Sequence, residues 1–197
     1  STKAIGDRLG NDGYAFANVN AAPEIDKEKR QVAFTIFVDP GKRVYVRRIG
    51  ITGNTKTRDE VIRRELRQME GGWYDADAVT VSKQRLDRLG YFSETTVETP
   101  AVQGSADQID VNFDVKEKAT GRLMLGAGFS STEGVVISAS ISQSNFLGSG
   151  NNVAFQINTS KINSVAAFSY TNPYFTVDGI SQGFDVYYRQ IDTANNS

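Results

Sequence analysis

The sequence contains neither cysteine nor histidine among its 197 residues. Disulfide bonds, metal sites of the Cys/His type and histidine-based acid–base catalysis are therefore excluded. The chain also lacks an apolar run of about 18 residues, so no transmembrane helix is predicted. Neither sign of charge is in excess, with 22 basic against 23 acidic residues. This balance gives no indication of nucleic-acid binding.

Charged residues are unevenly distributed along the chain. They are dense before residue 118, whereas Arg122 and Glu133 are the only charged residues between Ala119 and Ser160. The change predicts a boundary between a water-soluble segment and a segment of a different kind. The polar stretch at 1–10 is not typical of a signal peptide and resembles a helix interior, so we expect the sequence to be a piece of a longer protein.

Five segments between Gly121 and Arg189 carry apolar residues at every second position. This period places successive side chains on opposite faces of a β-strand. The alternate positions are mostly Ser, Asn, Gln and Gly, which is typical of the lumen side of a membrane β-barrel, and a water-soluble β-sandwich face is the alternative. The apolar side includes Leu123, Leu125, Ala127, Phe129, Val135, Ile137, Ala139, Ile141, Val153, Phe155, Ile157, Ala166, Phe168, Tyr170, Phe184, Val186 and Tyr188.

The first 118 residues contain an internal repeat. A single shift of 77 positions, without a gap, aligns glycine, proline and strand positions, which indicates serial small modules. The aligned pairs include Gly13 with Gly90, Tyr14 with Tyr91, Pro23 with Pro100, Gln31 with Gln108, and Val32, Phe34, Ile36 and Val38 with Ile109, Val111, Phe113 and Val115.

The complete copy of the repeat, residues 42–118, is predicted to have the order strand, helix, helix, strand, strand. Turn, capping and glycine signals separate these elements. The order predicts a small α+β module with helices on one face of a sheet. Strands are expected at about 44–51, 92–99 and 108–116, with one helix from Thr57 to Gly71 and a second from Asp75 or Asp77 to Gly90.

Several short motifs carry a resemblance to a known family. The element order, the turn Ile51-Thr52-Gly53-Asn54 and the junction Gly90-Tyr91-Phe92 resemble a POTRA domain. POTRA domains directly before a membrane barrel are the layout of BamA-type outer-membrane assembly factors. Further matching motifs are RRELRQMEG at 63–71, DQIDV at 107–111, NFLG at 145–148 and TNPYFTVDG at 171–179.

The resemblance implies a fold class and a domain organisation. The fold is an α+β POTRA domain (β-α-α-β-β) followed by antiparallel strands of a partial transmembrane β-barrel. Residues 1–41 are expected to be the C-terminal part of one POTRA domain, 42–118 a complete POTRA domain, and 119–197 the first five barrel strands. The implied location is the bacterial outer membrane, with the POTRA part in the periplasm.

The function implied by the resemblance is non-enzymatic. The chain would belong to the core subunit that folds and inserts outer-membrane proteins, with client strands pairing to the first barrel strand. Implied partners are a BamD-like lipoprotein, unfolded outer-membrane clients and outer-membrane lipid, with no nucleic acid and no cofactor. One alternative is a POTRA-barrel polypeptide transporter of the two-partner secretion type, and another is a periplasmic scaffold module with no membrane role.

The resemblance also assigns two candidate strand edges. The first barrel strand would form the lateral gate, the seam through which clients enter, and its glycines suit a weak seam, although lumen-facing glycine is also common in barrels. A POTRA strand would receive unfolded client, although its glutamates equally suit protection against aggregation. The gate strand comprises Gly121, Arg122, Leu123, Met124, Leu125, Gly126, Ala127, Gly128 and Phe129, and the POTRA edge comprises Phe92, Glu94, Thr96 and Glu98.

Two further sets of residues are implied. Glu70 matches the family glutamate that contacts the partner lipoprotein, and Arg63 and Arg67 lie close to it in sequence; a solvated basic helix face is the alternative. If the POTRA part is periplasmic, the turns at 145–152 and 172–179 lie on the same side, where aromatic residues would form an interfacial girdle rather than cap a soluble core. The girdle residues are Phe146, Tyr170, Tyr174 and Phe175.

Overall fold

The computed structural model describes residues 2–26 and 30–192, which fall into two compact units. The end of the expected barrel segment, 193–197, and residues 27–29 of the expected first module lie outside the described residues. No helix in the described ranges is long and apolar enough to cross a membrane.

The two units do not divide the chain at a single point. One contains the residues up to Asn54 together with Ile62–Lys116, and the other contains Thr55–Val61 together with the residues from Glu117 onward. A seven-residue stretch of the POTRA-like module, which includes the start of the helix Asp59–Arg63, therefore belongs with the strands that follow residue 117.

The elements up to residue 117 have the predicted types. In chain order they are α1 (Thr2–Asn11), β1 (Asn18–Asp26), β2 (Gln31–Asp39), β3 (Tyr45–Thr52), α2 (Asp59–Arg63), α3 (Ala76–Leu89), β4 (Phe92–Glu98) and β5 (Gln108–Glu117). The order strand, helix, helix, strand, strand is thus confirmed. The strands β1 and β2 form an antiparallel pair, and the other three form a sheet in the order β3-β5-β4, in which β3 runs parallel to β5.

The alternation in β5 places its apolar residues in the core of the first unit. Ile109, Val111, Phe113 and Val115 are buried, whereas the residues between them are exposed or half-buried. Their counterparts at the 77-residue offset in β2, such as Phe34 and Ile36, are exposed. The same sequence pattern therefore gives a buried face only in the copy that has β3 and β4 beside it.

Helix α3 begins and ends at the residues predicted from capping chemistry. Asp75 has extended backbone angles, and its carboxylate accepts hydrogen bonds from the backbone N–H groups of Asp77 and Ala78. Gly90 ends the helix in the left-handed conformation, with φ of 72°. An aspartate at the N-cap and a glycine after the last turn satisfy helix-end backbone groups.

The first predicted helix is wrong in length, because α2 ends at Arg63 rather than at Gly71. Two tight turns follow, in which Glu65 N donates to Ile62 O and Leu66 N donates to Arg63 O. The next N–H, that of Arg67, donates to the buried hydroxyl of Ser82 at 2.8 Å. A tertiary partner has replaced the acceptor that a continuing helix would have supplied.

The backbone groups after Arg67 form hydrogen bonds with β3. Gly71 N donates to Val46 O at 2.7 Å, and Val46 N donates to Gly72 O at 2.9 Å. Met69, which lies inside the predicted helix 57–71, is consequently 69% exposed. Helical spacing of apolar residues did not reveal this competition between a helix and pairing along β3.

The second unit is built on a five-stranded antiparallel sheet. The strands are β6 (Gly121–Ser130), β7 (Gly134–Gln143), β8 (Asn152–Thr159), β9 (Asn163–Asn172) and β10 (Gln182–Ile191), paired in the order β10-β9-β8-β7-β6, and a short 3₁₀ helix spans Phe146–Gly148. The predicted parity is confirmed by the register, which aligns Leu123, Ile141, Phe155, Phe168 and Val186 in one row across the sheet.

The packing around Gly53 generates a prediction about the first unit. Gly53 has φ of 84°, and a Cβ atom there would lie 1.9 Å from the carbonyl oxygen of Val115. Gly53→Ala is expected to destabilise the sheet β3-β5-β4 by more than the roughly 1–2 kcal/mol that left-handed alanine costs by itself. The measurement is the free energy of opening from hydrogen exchange of β3 and β5 peptides.

Gly104→Ala is the matched control. Gly104 has a similar φ of 82°, but no atom lies within 4 Å of the position of an added Cβ. The two substitutions share the backbone strain and differ in the contact with β5. Equal losses in the two variants would contradict the importance of this contact.

Candidate functional site

Strand β6 lies at an edge of the five-stranded sheet and pairs with β7. Residues Gly121–Phe129 are all exposed, and Ser130 is half-buried. Within the described ranges, the opposite side of β6 has no paired strand. An edge of this kind presents unpaired backbone N–H and C=O groups, which can template another strand.

The glycines of β6 differ in their surroundings. Gly121 and Gly128 have no atom within 4 Å of an added Cβ, whereas a Cβ at Gly126 would lie 2.6 Å from the hydroxyl oxygen of Ser138. That hydroxyl donates a long bond of 3.4 Å to the carbonyl oxygen of Gly126. The close approach of β7 therefore accounts for the glycine at position 126, whereas space for a side chain is available at positions 121 and 128.

The four predicted girdle residues lie toward one end of this sheet. Phe146 belongs to the connection between β7 and β8, and Tyr174 and Phe175 belong to the connection between β9 and β10. Because alternate connections of an antiparallel sheet share an end, the structure brings these rings to the same end. Tyr170 lies on β9 near that end and stacks on Phe184 with ring centroids 5.3 Å apart.

The connection from β7 to β8 is tightly hydrogen-bonded and strained. Asn145 and Leu147 have positive φ of 54° and 51°, as have Gly148 and Gly150 at 74° and 77°. Asn145 Oδ1 accepts from Gly150 N at 2.8 Å, and Gly148 N donates to Asn145 O at 3.0 Å. Asn145 is 8% exposed, so its side chain is part of the interior of this connection.

Residues 55–58, which we call the 55–58 loop, contact this connection. Asn145 Nδ2 donates to Thr57 Oγ1 at 2.8 Å, and Arg58 N donates to Gly148 O at 3.0 Å. A Cβ atom on Gly148 would lie 1.9 Å from the carbonyl oxygen of Lys56, so glycine is required by both φ and space. Thr57 is 3% exposed, and its hydroxyl is therefore an interior group.

Glu117 binds the same loop from the end of β5. Its carboxylate accepts from Thr57 N at 2.6 Å, from Lys56 N at 3.0 Å and from the Thr55 hydroxyl at 2.8 Å. Partial burial raises the pKa of Glu117, but the hydrogen bonds from Thr57, Thr55 and Lys56 outweigh it and the pKa lies below its ordinary value. The site thus favours the ionised carboxylate.

Sequence reasoning did not identify this cluster. Asn145 and Gly148 belong to the family motif NFLG and Thr57 begins the first predicted helix, but no sequence pattern points to Glu117. The signal available in the sequence was an Asn and a Gly in a short polar connection, which indicates left-handed backbone. No local pattern connects such a turn with residues almost ninety positions earlier.

Strand β4 is the second candidate edge, and the sheet order β3-β5-β4 places it at the margin. Glu94, Thr96 and Glu98 are exposed, as expected for an edge. Phe92 is only 5% exposed, because its ring lies in the core against Tyr91, with centroids 6.3 Å apart. Phe92 can therefore offer its backbone to a partner, whereas its side chain belongs to the fold.

The structure brings Arg63 and Glu70 together on β3. Glu70 Oε1 accepts from Ile49 N at 2.7 Å and lies 3.6 Å from a guanidinium nitrogen of Arg63. Arg63 donates to Ile49 O at 3.2 Å. Both side chains are nearly half exposed, so the pair can stabilise the segment after α2 while remaining accessible.

Arg67 is exposed, and its guanidinium donates to the adjacent carbonyl of Leu66 at 3.3 Å. No hydrogen bond or ion pair among the described residues joins Arg67 to Glu70. The same ranges contain no group of three or more His, Cys, Asp or Glu residues that could hold a metal ion.

Comparison with known proteins assigns the two parts of the chain. The POTRA family, described as the surface antigen variable number repeat, matches residues 1–41 and 44–118. The Omp85 superfamily domain matches residues 145–197.

Individual relatives agree with this assignment. The chain is 42% identical over 188 residues to the outer membrane protein assembly factor BamA of Neisseria meningitidis serogroup B, covering 95% of the chain and 24% of that protein. The crystal structure of Haemophilus ducreyi BamA lacking POTRA domains 1–3 is 36% identical, with a TM-score of 0.89 over 99% of the chain and 37% of that structure.

CdiB from Escherichia coli has a TM-score of 0.55 over 95% of the chain and 34% of that structure, but at 16% identity this likeness shows the fold alone. The chain spans about a quarter of the length of the curated relatives it matches. Two POTRA matches precede an Omp85 match, and the five-stranded sheet follows the second POTRA match as it does in the BamA layout. The chain therefore belongs to the POTRA family, in the arrangement in which POTRA domains precede an Omp85-type barrel.

Proposed function

We propose that the chain is part of an outer-membrane assembly factor that folds and inserts β-barrel proteins by pairing client strands with β6. The observation that carries the proposal is the exposed edge of β6 beside a continuous apolar sheet face, in a chain 42% identical to a BamA assembly factor. The expected location is the bacterial outer membrane, with the POTRA part in the periplasm.

Strand pairing supplies a physical reason for insertion without a cofactor. In hydrocarbon, each unpaired backbone polar group costs several kcal/mol, about the free energy of an unmade hydrogen bond. A client strand that enters beside β6 satisfies its own groups and those of the edge in one step. The free energy of that pairing drives insertion, and no nucleotide is required.

The apolar face of the sheet fits a lipid-facing role for the same strands. Leu123, Leu125 and Phe129 are strongly exposed on one side of β6. Leu123 lies in a row with Ile141 and Phe155 of the neighbouring strands. The aromatic residues at one end of the sheet, Phe146, Tyr170, Tyr174 and Phe175, serve as an interfacial girdle on the periplasmic side.

Arg63, Arg67 and Glu70 are the candidate docking residues for a BamD-like lipoprotein. Support comes from the exposure of Arg63 and Glu70 in a segment whose backbone is fixed on β3 through Ile49. A fixed charged pair loses little conformational entropy on binding. Strand β4, with Glu94, Thr96 and Glu98 exposed and the Phe92 backbone at its start, is the candidate POTRA edge for unfolded client.

The two-partner secretion transporter has weaker support. Four relatives that are at least 30% identical are assembly factors by name, and no feature of the described residues favours export through the lumen over strand pairing.

The edge of β6 generates the second prediction. A photo-crosslinking residue at Leu125 of the full protein is expected to capture a stalled client several-fold more efficiently than one at Ile157. The two positions lie in the same row of the sheet, so their depth matches, but β8 is paired on both sides. Crosslink yield on denaturing gels is the measurement, and equal yields at the two positions would overturn pairing at β6.

The Arg63–Glu70 pair generates the third prediction. Glu70→Arg is expected to weaken binding of the lipoprotein by about tenfold or more, because it inverts a charge at the interface. It also removes the acceptor for Ile49 N, so the fold must be controlled for separately.

A double swap, Arg63→Glu with Glu70→Arg, separates docking from structure. The swapped residues can still pair with each other, so the melting temperature should largely recover, whereas binding should stay weak because the partner meets inverted charges. Glu24→Arg, an exposed substitution in β1 that changes the net charge by the same amount and sign as Glu70→Arg, is the control for net charge. Full recovery of binding in the double swap would mean that the pair is purely structural.

A further inference from the structure

The 55–58 loop is the centre of a polar cluster in the second unit. Glu117 accepts hydrogen bonds from Thr55, Lys56 and Thr57 of this loop, and Asn145 and Gly148 bind it from the connection between β7 and β8. Thr57 takes part in both sets of contacts, since its N–H binds Glu117 and its hydroxyl accepts from Asn145. One residue thus joins two segments that are distant in sequence.

The cluster lies directly before β6. Three residues separate Glu117 from Gly121, and three residues span at most about 11 Å when extended. Thr120 adds a second connection, since its hydroxyl donates to Ser144 O and its carbonyl accepts from Ser144 N at 3.4 Å. The first paired residues of the hairpin, Gly121 and Gln143, follow immediately. The N-terminal end of β6 is therefore held both through Glu117 and through Thr120.

The other end of β6 is attached through backbone groups. Ser130 is joined to Gly134 by a short turn, in which the Glu133 carbonyl accepts a hydrogen bond from Lys161 N at 3.2 Å, and Gly128 near this end has open space around the position of a Cβ. Among the described residues, side-chain hydrogen bonds to segments outside the β6–β7 hairpin are thus concentrated near the N-terminal end of β6.

We propose that Glu117, Thr57 and Asn145 are positioning residues for β6, which keep its N-terminal end in register with β7 while the free edge accepts a client strand. This inference rests on the proposed function of β6. The contacts explain why buried polar groups surround a connection with four positive φ angles. When all of these polar groups are hydrogen-bonded, one backbone arrangement is favoured, because a different arrangement would leave a buried polar group without a partner.

The register of β6 is a suitable property to test because a slip by one residue would exchange its two faces. A client strand can add in a defined register only if the template strand has one. Thr57 is the most informative position, since Thr57→Val keeps the shape and removes the hydroxyl, and Thr57→Ser restores it. Glu117→Gln keeps the shape but turns an amide N–H group toward the donors of the 55–58 loop.

The experiment places nitroxide pairs on the full protein in lipid nanodiscs. One pair, at Arg122→Cys and Ser142→Cys, reports the N-terminal end of β6, and the other, at Gly128→Cys and Val136→Cys, reports the far end. Both are cross-strand neighbours on the same face. The 197 residues contain no cysteine, so labels enter this segment only at the chosen sites. Dipolar broadening of the EPR spectrum measures the separation within each pair.

We expect Thr57→Val and Glu117→Gln to reduce the broadening at the N-terminal pair while leaving the far pair unchanged, and Thr57→Ser to restore it. The rate of client insertion should fall by about fivefold in Thr57→Val and return in Thr57→Ser. Unchanged broadening at the N-terminal pair would overturn the proposal. Equal loss at both ends would also overturn it, because that result indicates general loosening rather than loss of positioning.

A different result would overturn the proposed function. If the native protein inserted no client, strand addition at β6 would be wrong, whereas the spin-label comparison of Thr57→Val with Thr57→Ser would still decide whether the cluster holds β6 in register.

Discussion

Backbone N–H and C=O groups must be paired wherever water is excluded, and a strand edge concentrates such groups in a row. In the second unit this constraint is met along β7, β8 and β9, which are paired on both sides, whereas among the described strands β6 is paired with β7 alone and β10 with β9 alone. An apolar face and an open edge are hard to reconcile in lipid unless another strand can reach that edge. In the proposed function, client insertion is driven by the free energy gained when a client strand pairs with the backbone groups of β6.

The same constraint explains the polar cluster beside β6. The connection from β7 to β8 reverses the chain with four residues at positive φ, two of which, Asn145 and Leu147, are not glycine. Left-handed backbone at such residues costs about 1–2 kcal/mol each and needs compensation from the surroundings. Asn145 supplies part of it by bonding Gly150 and Thr57, and the 55–58 loop supplies more through Arg58 and Gly148. The strained turn and the 55–58 loop therefore stabilise each other.

Sequence reasoning succeeded where one local rule decides the outcome. Period-two alternation predicted the two faces of the barrel strands, and capping chemistry predicted a helix that begins at Asp75 or Asp77 and ends at Gly90, of which Asp75 and Gly90 are the observed ends of α3. It failed for α2 because Ser82 and Val46, distant in sequence, supply the partners that end the helix. Only part of the candidate site could be predicted in the same way. The edge position of β6 follows from strand order, whereas the contacts of Glu117 with residues 55–57 have no local sequence signature.

The two kinds of interaction at β6 act on different parts of the strand. Main-chain pairing with β7 runs along its whole length, so it alone would allow the strand to shift or fray from either end. Side-chain contacts through Glu117 and Thr120 act only at the start. A template that must accept a new strand needs a free edge and a fixed register together, and pairing with β7 leaves the other edge free but gives no further hold on the end of the strand. Anchoring by side chains just before the strand meets both needs, since it fixes β6 without using the backbone groups that a client would bind.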